Sequence, residues 1–544
     1  SSADEYTYAS RNFYTGEIPA SEIASDDRSI LEFEYSRKSS CTYFLDYYEI
    51  HYPRSFYAID NELSFIADSS LSGITEFAVN GFSGSGIYGF EISDRKDPKL
   101  IANNASTGGM FIFRTELDPE KPAQYYISSK VKSANIESIE FAGYRGKDAS
   151  KDVMVITDDR LMESAKAFKE YRESHSNLSV GVYNTRLIYN EFGSGVKDLT
   201  AIRDFIAHAY HNWSNKPEFV LLWGDGHYDY KGLETKEVNH IPVYQANTAE
   251  KSFDEVSYDW ATEDYYVYVD GNDLEVDLSL GRVTVNDNEM GFDFVNKLEH
   301  YENNSSQDNW RTRAILVADD AIADDPEYPE GDLHVNQSEQ LTHNYMPDNF
   351  EKEKIYMAEY PVLNQPGGRK KPEVKTDLLA SVNTYGGLLL NYIGHGNPRV
   401  WAHEEILNRD EDIKKMNNLD KLVFLTAATC DYGRFDVPSI KSGAEVFVES
   451  NNGGAIGVFS ATRVVFSSSN ALLNYALYEA IFDKGNNKFP TIGEIIKKIK
   501  TDRTGTNDRK FFLLGDPTMR LLLPYNEIRI DSVNGIDVTK SDTL

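Results

Sequence analysis

The chain has 544 residues, more than one compact core holds, and about 150 residues per domain gives roughly three or four domains. Hydrophobic residues make up 40% and charged residues 26%, with 35 Tyr and 28 Phe, which excludes a disordered chain. Asp+Glu 87 against Lys+Arg 55 leaves a formal charge of -32, and such a surface repels phosphate backbones, so nucleic acid is excluded as a partner.

The chain opens Ser1-Ser-Ala-Asp-Glu-Tyr6 without a basic and then apolar leader, and no apolar run reaches the roughly 18 residues of a membrane span. A soluble piece whose export signal has been removed is expected. From about residue 30 to 140, short segments such as Leu31-Glu-Phe-Glu-Tyr35, Tyr43-Phe-Leu-Asp-Tyr47 and Gly86-Ile-Tyr-Gly-Phe-Glu-Ile92 alternate between turn residues. That period of two assigns residues 1–145 to a β-rich accessory domain. The polar stretch 144–152 reads as a linker, since nothing in it could bury a face.

Beyond it, apolar runs alternate with longer amphipathic stretches. Val153-Met-Val-Ile156, a helix near 160–175, Val180-Gly-Val-Tyr183, a helix near 198–213 and Phe219-Val-Leu-Leu-Trp223 come first. Ala314-Ile-Leu-Val-Ala318, Gly387-Leu-Leu-Leu-Asn-Tyr-Ile393, Leu422-Val-Phe-Leu425 and Ala455-Ile-Gly-Val-Phe459 follow. Continuous apolar strands between helices predict an α/β domain over 150–525, a mostly parallel sheet covered on both faces. Residues 526–544 alternate again around Asn534-Gly535 and read as the start of a further β domain.

In such sheets ligands bind beyond the carboxyl ends of the strands. One strand ends in Gly394-His395-Gly396 and another in Thr429-Cys430-Asp431-Tyr432-Gly433, with helix-like sequence between them. Neighbouring strands would set His395 and Cys430 side by side as base and nucleophile, because a nearby imidazole favours thiolate and returns a proton to a leaving amine. The amides of Gly396 and Cys430 are the candidate oxyanion donors. Spacing alone serves equally well for a buried small Cys430 and a satisfied loop His395. Only Cys41 and Cys430 are present, so no disulfide framework is expected and each is read as a free thiol.

Acids crowd the end of the preceding strand: Asp319, Asp320, Asp324, Asp325 and Asp332. Each could orient His395, bind a basic side chain, hold calcium or sit solvated in a loop. The ladder Asp270, Asp273, Glu275, Asp277 offers oxygen ligands without the EF-hand spacing; Asp273, Glu275 and Asp277 are kept as a candidate calcium site. Gly224-Asp225-Gly226-His227 lacks phosphate-loop spacing and reads as a turn lining the rim, and no histidines show paired zinc-ligand spacing.

Asn391-Tyr-Ile-Gly-His395-Gly, Thr429-Cys430-x-x-Gly433, Leu514-Gly-Asp516-Pro517 and Leu280-Gly-Arg282 together resemble the signature blocks of the gingipain-type cysteine peptidases, over residues 150 to 525. The resemblance implies a caspase-like fold, His395 as base, Cys430 as nucleophile, Asp319 or Asp320 as the acid near the histidine, and Asp332 where arginine-specific members recognise a basic side chain. It also implies calcium dependence, secretion and an immunoglobulin-like domain after the peptidase.

Within that family the segment 84–98 and Tyr189-Asn-Glu-Phe-Gly193 are most similar to the sortase branch that serves type IX secretion in Bacteroidetes. That likeness implies removal of the C-terminal sorting domain from cargo proteins, transfer of the acyl group to an amine of lipopolysaccharide, and a peripheral place at the outer face of the outer membrane. It implies an outer-membrane barrel of the PorV type and a PorZ-type partner. A secreted gingipain-type protease and a catalytically silent docking subunit are the alternative readings.

Overall fold

The computed structural model describes residues 13–19, 30, 32–33, 45, 47–83, 86–136, 138–247, 259–304, 308–320, 331–366, 368–485, 488–524, 532–533 and 536–537. Cys41, Asp324, Asp325, the Asn534-Gly535 turn and most positions of 31–35 and 43–47 lie outside them. The chain divides into two compact units, with the boundary between Ser138 and Ile139.

The first unit is β-rich. Glu62–Ile66, Gln124–Ser128, Tyr88–Glu91 and Lys99–Ile101 form one antiparallel sheet, and Gly73–Asn80 pairs with Met110–Leu117. Alternation explains the pairing: Phe77, Val79, Phe111, Phe113, Tyr125 and Ile127 turn inward to one aromatic-rich core.

The second unit is built on a ten-stranded sheet. From one edge the order is Glu351–Tyr356, Arg313–Ala318, Leu389–Ile393, Val423–Ala428 and Ala455–Ala461. It continues through Phe511–Leu514, Ser279–Val283, Phe219–Trp223 and Val153–Thr157 to the edge strand Val180–Asn184. Most neighbours pair in parallel, and Ala455–Ala461 pairs antiparallel with Phe511–Leu514. The central strands are buried along their whole length because helices cover both faces. Alternate residues serve the two sides. Val153, Val155, Leu221 and Trp223 pack with Phe168, Phe294 and Leu298, whereas Met154, Ile156, Val220 and Leu222 pack with Ile202, Phe205 and Ile206.

The stretch 144–152, expected as a linker, belongs to this unit. Tyr144 lies 5.0 Å from Phe205 and 5.6 Å from Tyr183, so one aromatic ring supplies the buried face that its polar neighbours hide. Two of the sequence blocks hold the sheet together. A Cβ on Gly281 would come within 2.4 Å of the Gly515 carbonyl, and buried Asp516 accepts from Arg172 Nε at 2.7 Å. The segment after 525 is described only as the antiparallel pair Ser532–Val533 with Ile536–Asp537.

Candidate active site

Parallel pairing of Leu389–Ile393 with Val423–Ala428 sets Ile393 opposite Ala428. His395 and Cys430 each stand two residues beyond that pair, so both leave the sheet at one rim. The glycines around the histidine are required by close approach. A Cβ on Gly394 would lie 2.5 Å from Asp319 Cβ, and one on Gly396 would lie 2.6 Å from Thr429 Oγ1, beside Cys430.

The histidine loop is tied from below and from the side. His395 N donates to Asp319 Oδ2 at 2.9 Å. Its carbonyl accepts from Tyr392 Oη at 2.6 Å and from Ala402 N at 2.9 Å. Tyr392 is fully buried and stacks on Trp401 with ring centroids 4.4 Å apart. Asp319 thus meets the backbone amide of His395, and burial pushes its carboxyl above the usual range although the His395 amide and ring oppose the shift. The His395 ring lies between two further imidazoles: His334 stands edge-on at 5.5 Å, and His403 lies nearly parallel at 5.2 Å. Sequence reading assigned a role to neither, because one comes from the first turn of the helix Leu333–Asn344 and the other from a turn after Trp401.

Cys430 is a free thiol, half-buried as a residue with its sulfur turned inward. Sγ donates to Val465 O at 3.4 Å and accepts from Val465 N at 3.5 Å. Burial raises the thiol to about 11, Asp431 adds to the rise, and the Val465 amide and Lys510 oppose it. Burial thus favours the protonated thiol over the thiolate expected from the sequence. Asp431 follows in the left-handed region at φ 55°, which bends the chain sharply behind the sulfur. Below the bend, Asp436 holds Arg463 through two hydrogen bonds of 2.7 and 2.6 Å. Asp436 O also accepts from Tyr228 N at 3.0 Å, so the 224–229 loop meets the segment after the cysteine.

The remaining acids are placed as follows. Asp320 is buried with Lys371 Nζ 2.6 Å from Oδ2. Asp332 is exposed at the start of the helix Leu333–Asn344 and makes no side-chain cap. Asp273 and Glu275 are exposed, and Asp277 Oδ2 accepts from the Val269 and Asp270 amides at 2.9 and 2.8 Å. These three do not converge, so the ladder as folded does not fit calcium. Among the described residues, Asp319, Asp320 and Glu404 bring ligand atoms within 4.8 Å of one another. There Lys371 and Arg369 already supply positive charge, with Arg369 Nε 2.9 Å from Glu404 Oε1.

Fold and rim together define a gingipain-type, caspase-like α/β sandwich. The chain belongs to peptidase family C25, the gingipain family of cysteine peptidases, whose sequence profile matches residues 147–522. No curated protein matches it. Among solved structures it is similar to the Arg-specific cysteine proteinase gingipain R, with 19% identity, a TM-score of 0.52, and cover of 70% of this chain and 80% of that one. It is also similar to dimeric latent PorU from Porphyromonas gingivalis, with 18% identity and a TM-score of 0.52. That match takes in 89% of this chain and 41% of PorU, so the chain spans about two fifths of that protein.

Proposed function

We propose that this chain is a cysteine endopeptidase and transpeptidase of the sortase type. It would remove the C-terminal sorting domain of type IX cargo and pass the acyl group to an amine of lipopolysaccharide at the outer face of the outer membrane. The observation that carries the acyl-transfer reading is the register that brings His395 and Cys430 out at one rim. The reach of the PorU likeness beyond the peptidase region favours the sortase branch over a plain protease. PorV-type and PorZ-type proteins are the partners of this reading. Among the described residues no helix is long and apolar enough to cross a membrane, which agrees with a peripheral place.

In the proposed cycle, a docked substrate displaces Val465 from the sulfur, and His395 takes the Cys430 proton as the sulfur attacks the scissile carbonyl. The oxyanion faces the amides of Gly396 and Cys430. His395 then protonates the departing amine, which leaves a thioester. An incoming amine, deprotonated by His395, attacks that thioester and the thiol re-forms with the proton. Asp319 keeps the histidine loop in place through the His395 amide. The protonated resting thiol suits an enzyme that is quiet until cargo arrives.

Incubation with a cargo bearing a sorting domain and a small amine tests this by intact mass. Cargo shortened and carrying the amine, only while Cys430 is present, is expected. Shortening by water alone would leave a peptidase, the reading that the equal likeness to gingipain R favours. No change in either would leave the docking subunit.

A further inference from the structure

The hairpin formed by Leu363–Gln365 and Gly368–Lys370 ends in three successive cations, and each meets a different carboxylate beside the histidine. Arg369 Nε donates to Glu404 Oε1 at 2.9 Å. Lys370 Nζ lies 2.6 Å from Glu405 Oε2, and Lys371 Nζ lies 2.6 Å from Asp320 Oδ2. Neighbours on a strand point to opposite faces, yet all three are engaged here because Lys371, at ψ 72°, has already left the strand to start the helix Pro372–Ala380.

These carboxylates belong to the two supports of His395. Asp320 is adjacent to Asp319, which receives the His395 amide. Glu404 and Glu405 follow His403 in a turn where Ala402 and Glu405 take φ of 56° and 54°, a conformation that ordinary residues hold only where the surroundings fix it. Lys371, Asp320 and Glu404 are buried, whereas Lys370 and Glu405 are partly solvated and couple weakly. Three buried carboxylates this close repel one another, and the two cations offset that repulsion.

We propose that Lys371 and Arg369 are positioning residues for His395: they pin the Asp319–Asp320 corner and the 402–405 turn that hold its backbone and so aim its ring, and they set the charge the ring experiences. The inference rests on the reading of His395 as the base. The ring is faced by His334 from its helix and His403 from the turn, and it interacts electrostatically with Asp319 at one strand end; Glu404 lies with Asp319 and Asp320, and Cys430 and Asp431 leave the neighbouring strand end at the same rim. Removing the Lys371 ammonium leaves a carboxylate uncompensated, which favours imidazolium and raises the His395 midpoint. Removing Asp320 with it restores the charge and leaves the corner loose.

The test is an NMR titration of histidine-labelled protein, with His395→Asn to assign the signal, paired with the rate at which a peptidyl acyloxymethyl ketone alkylates Cys430, the sulfur displacing the carboxylate leaving group to form a thioether. Lys371→Met is expected to raise the His395 midpoint by roughly half a unit or more and to slow labelling about tenfold or more. Lys371→Arg keeps both near their starting values. Lys371→Met/Asp320→Asn returns the midpoint to its starting value while labelling stays slow, and it carries the test where the single variant does not fold. An unmoved midpoint in a folded Lys371→Met protein, or a double variant that labels as fast as the unaltered chain, overturns the proposal. The midpoint is read whether or not the chain labels. A lack of labelling in the unaltered protein therefore counts against the peptidase reading, and the titration still decides the positioning one.

Discussion

The sheet carries a histidine–aspartate pair beyond the carboxyl ends of its strands twice, and the two pairs behave differently. Asp158 follows Val153–Thr157, and His240 Nδ1 lies 2.8 Å from its Oδ2 with the imidazole wholly buried. Burial pushes Asp158 up, but the hydrogen bond and charge of His240 outweigh it, so the carboxyl ends below its usual range. Asp319 follows Arg313–Ala318 in the same way, yet it holds the backbone of His395, and the ring is left half-buried between two imidazoles. The first pair closes the structure; the second leaves an imidazole able to move a proton. What separates them is which atom the carboxylate holds, and that a cysteine leaves the adjacent strand at the matching position.

Exchanging the two histidines for alanine gives the largest and most direct contrast. His395→Ala is expected to slow alkylation of Cys430 by a peptidyl acyloxymethyl ketone by about 10²–10⁴-fold, with thermal stability nearly unchanged. His240→Ala is expected to do the reverse: Asp158 loses its partner at a cost of about 1–3 kcal/mol, a drop of several degrees in Tm, while the folded protein labels normally. A His240→Ala protein that kept its Tm and lost labelling would dissolve the distinction.

Next in size is the response of the thiol to pH. With the thiol raised to about 11, alkylation of Cys430 by iodoacetamide should climb about tenfold per pH unit from neutrality toward that value. A plateau near neutral pH would mean a thiolate at rest. Acid sharpens the contrast from the other side. Because the folded Asp158 carboxyl lies below its unfolded value, its ionised form stabilises the protein above the unfolded pKa, and that contribution is lost as pH falls through the folded one. Urea midpoints for the unaltered chain and Asp158→Asn should therefore differ at neutral pH and converge in acid. The smallest effect concerns Asp332, exposed at its helix start: Asp332→Asn should slow labelling by an arginyl probe no more than about threefold, as for a solvated charge. A loss of a hundredfold would restore the basic pocket that the resemblance implies.

Much of this was legible in the sequence because parallel strands covered on both faces must be apolar throughout, which marks their ends and so the rim. The strand ends that carry His395, Cys430 and Asp319 are marked that way. The edge strand Glu351–Tyr356 was missed, since Glu-Lys-Glu-Lys reads as a solvated loop although charges are what an edge strand carries. His334, His403 and the three hairpin cations were illegible for another reason: they reach the site through tertiary contacts from separate elements. The raised thiol comes from burial of the sulfur by tertiary packing, against backbone of Val465 that lies 35 residues away in sequence, and no local pattern carries it.

The central claim is that Cys430, served by His395, is the nucleophile of the acyl-transfer cycle. It is tested most directly by treating the chain with a peptidyl acyloxymethyl ketone and mapping the adduct by intact mass and peptide sequencing, with Cys41, its other cysteine, as internal control. One adduct on Cys430, lost in Cys430→Ala and slowed in His395→Ala, is the predicted result. An adduct on Cys41, equal labelling of both, or labelling of Cys430 indifferent to His395 would contradict it.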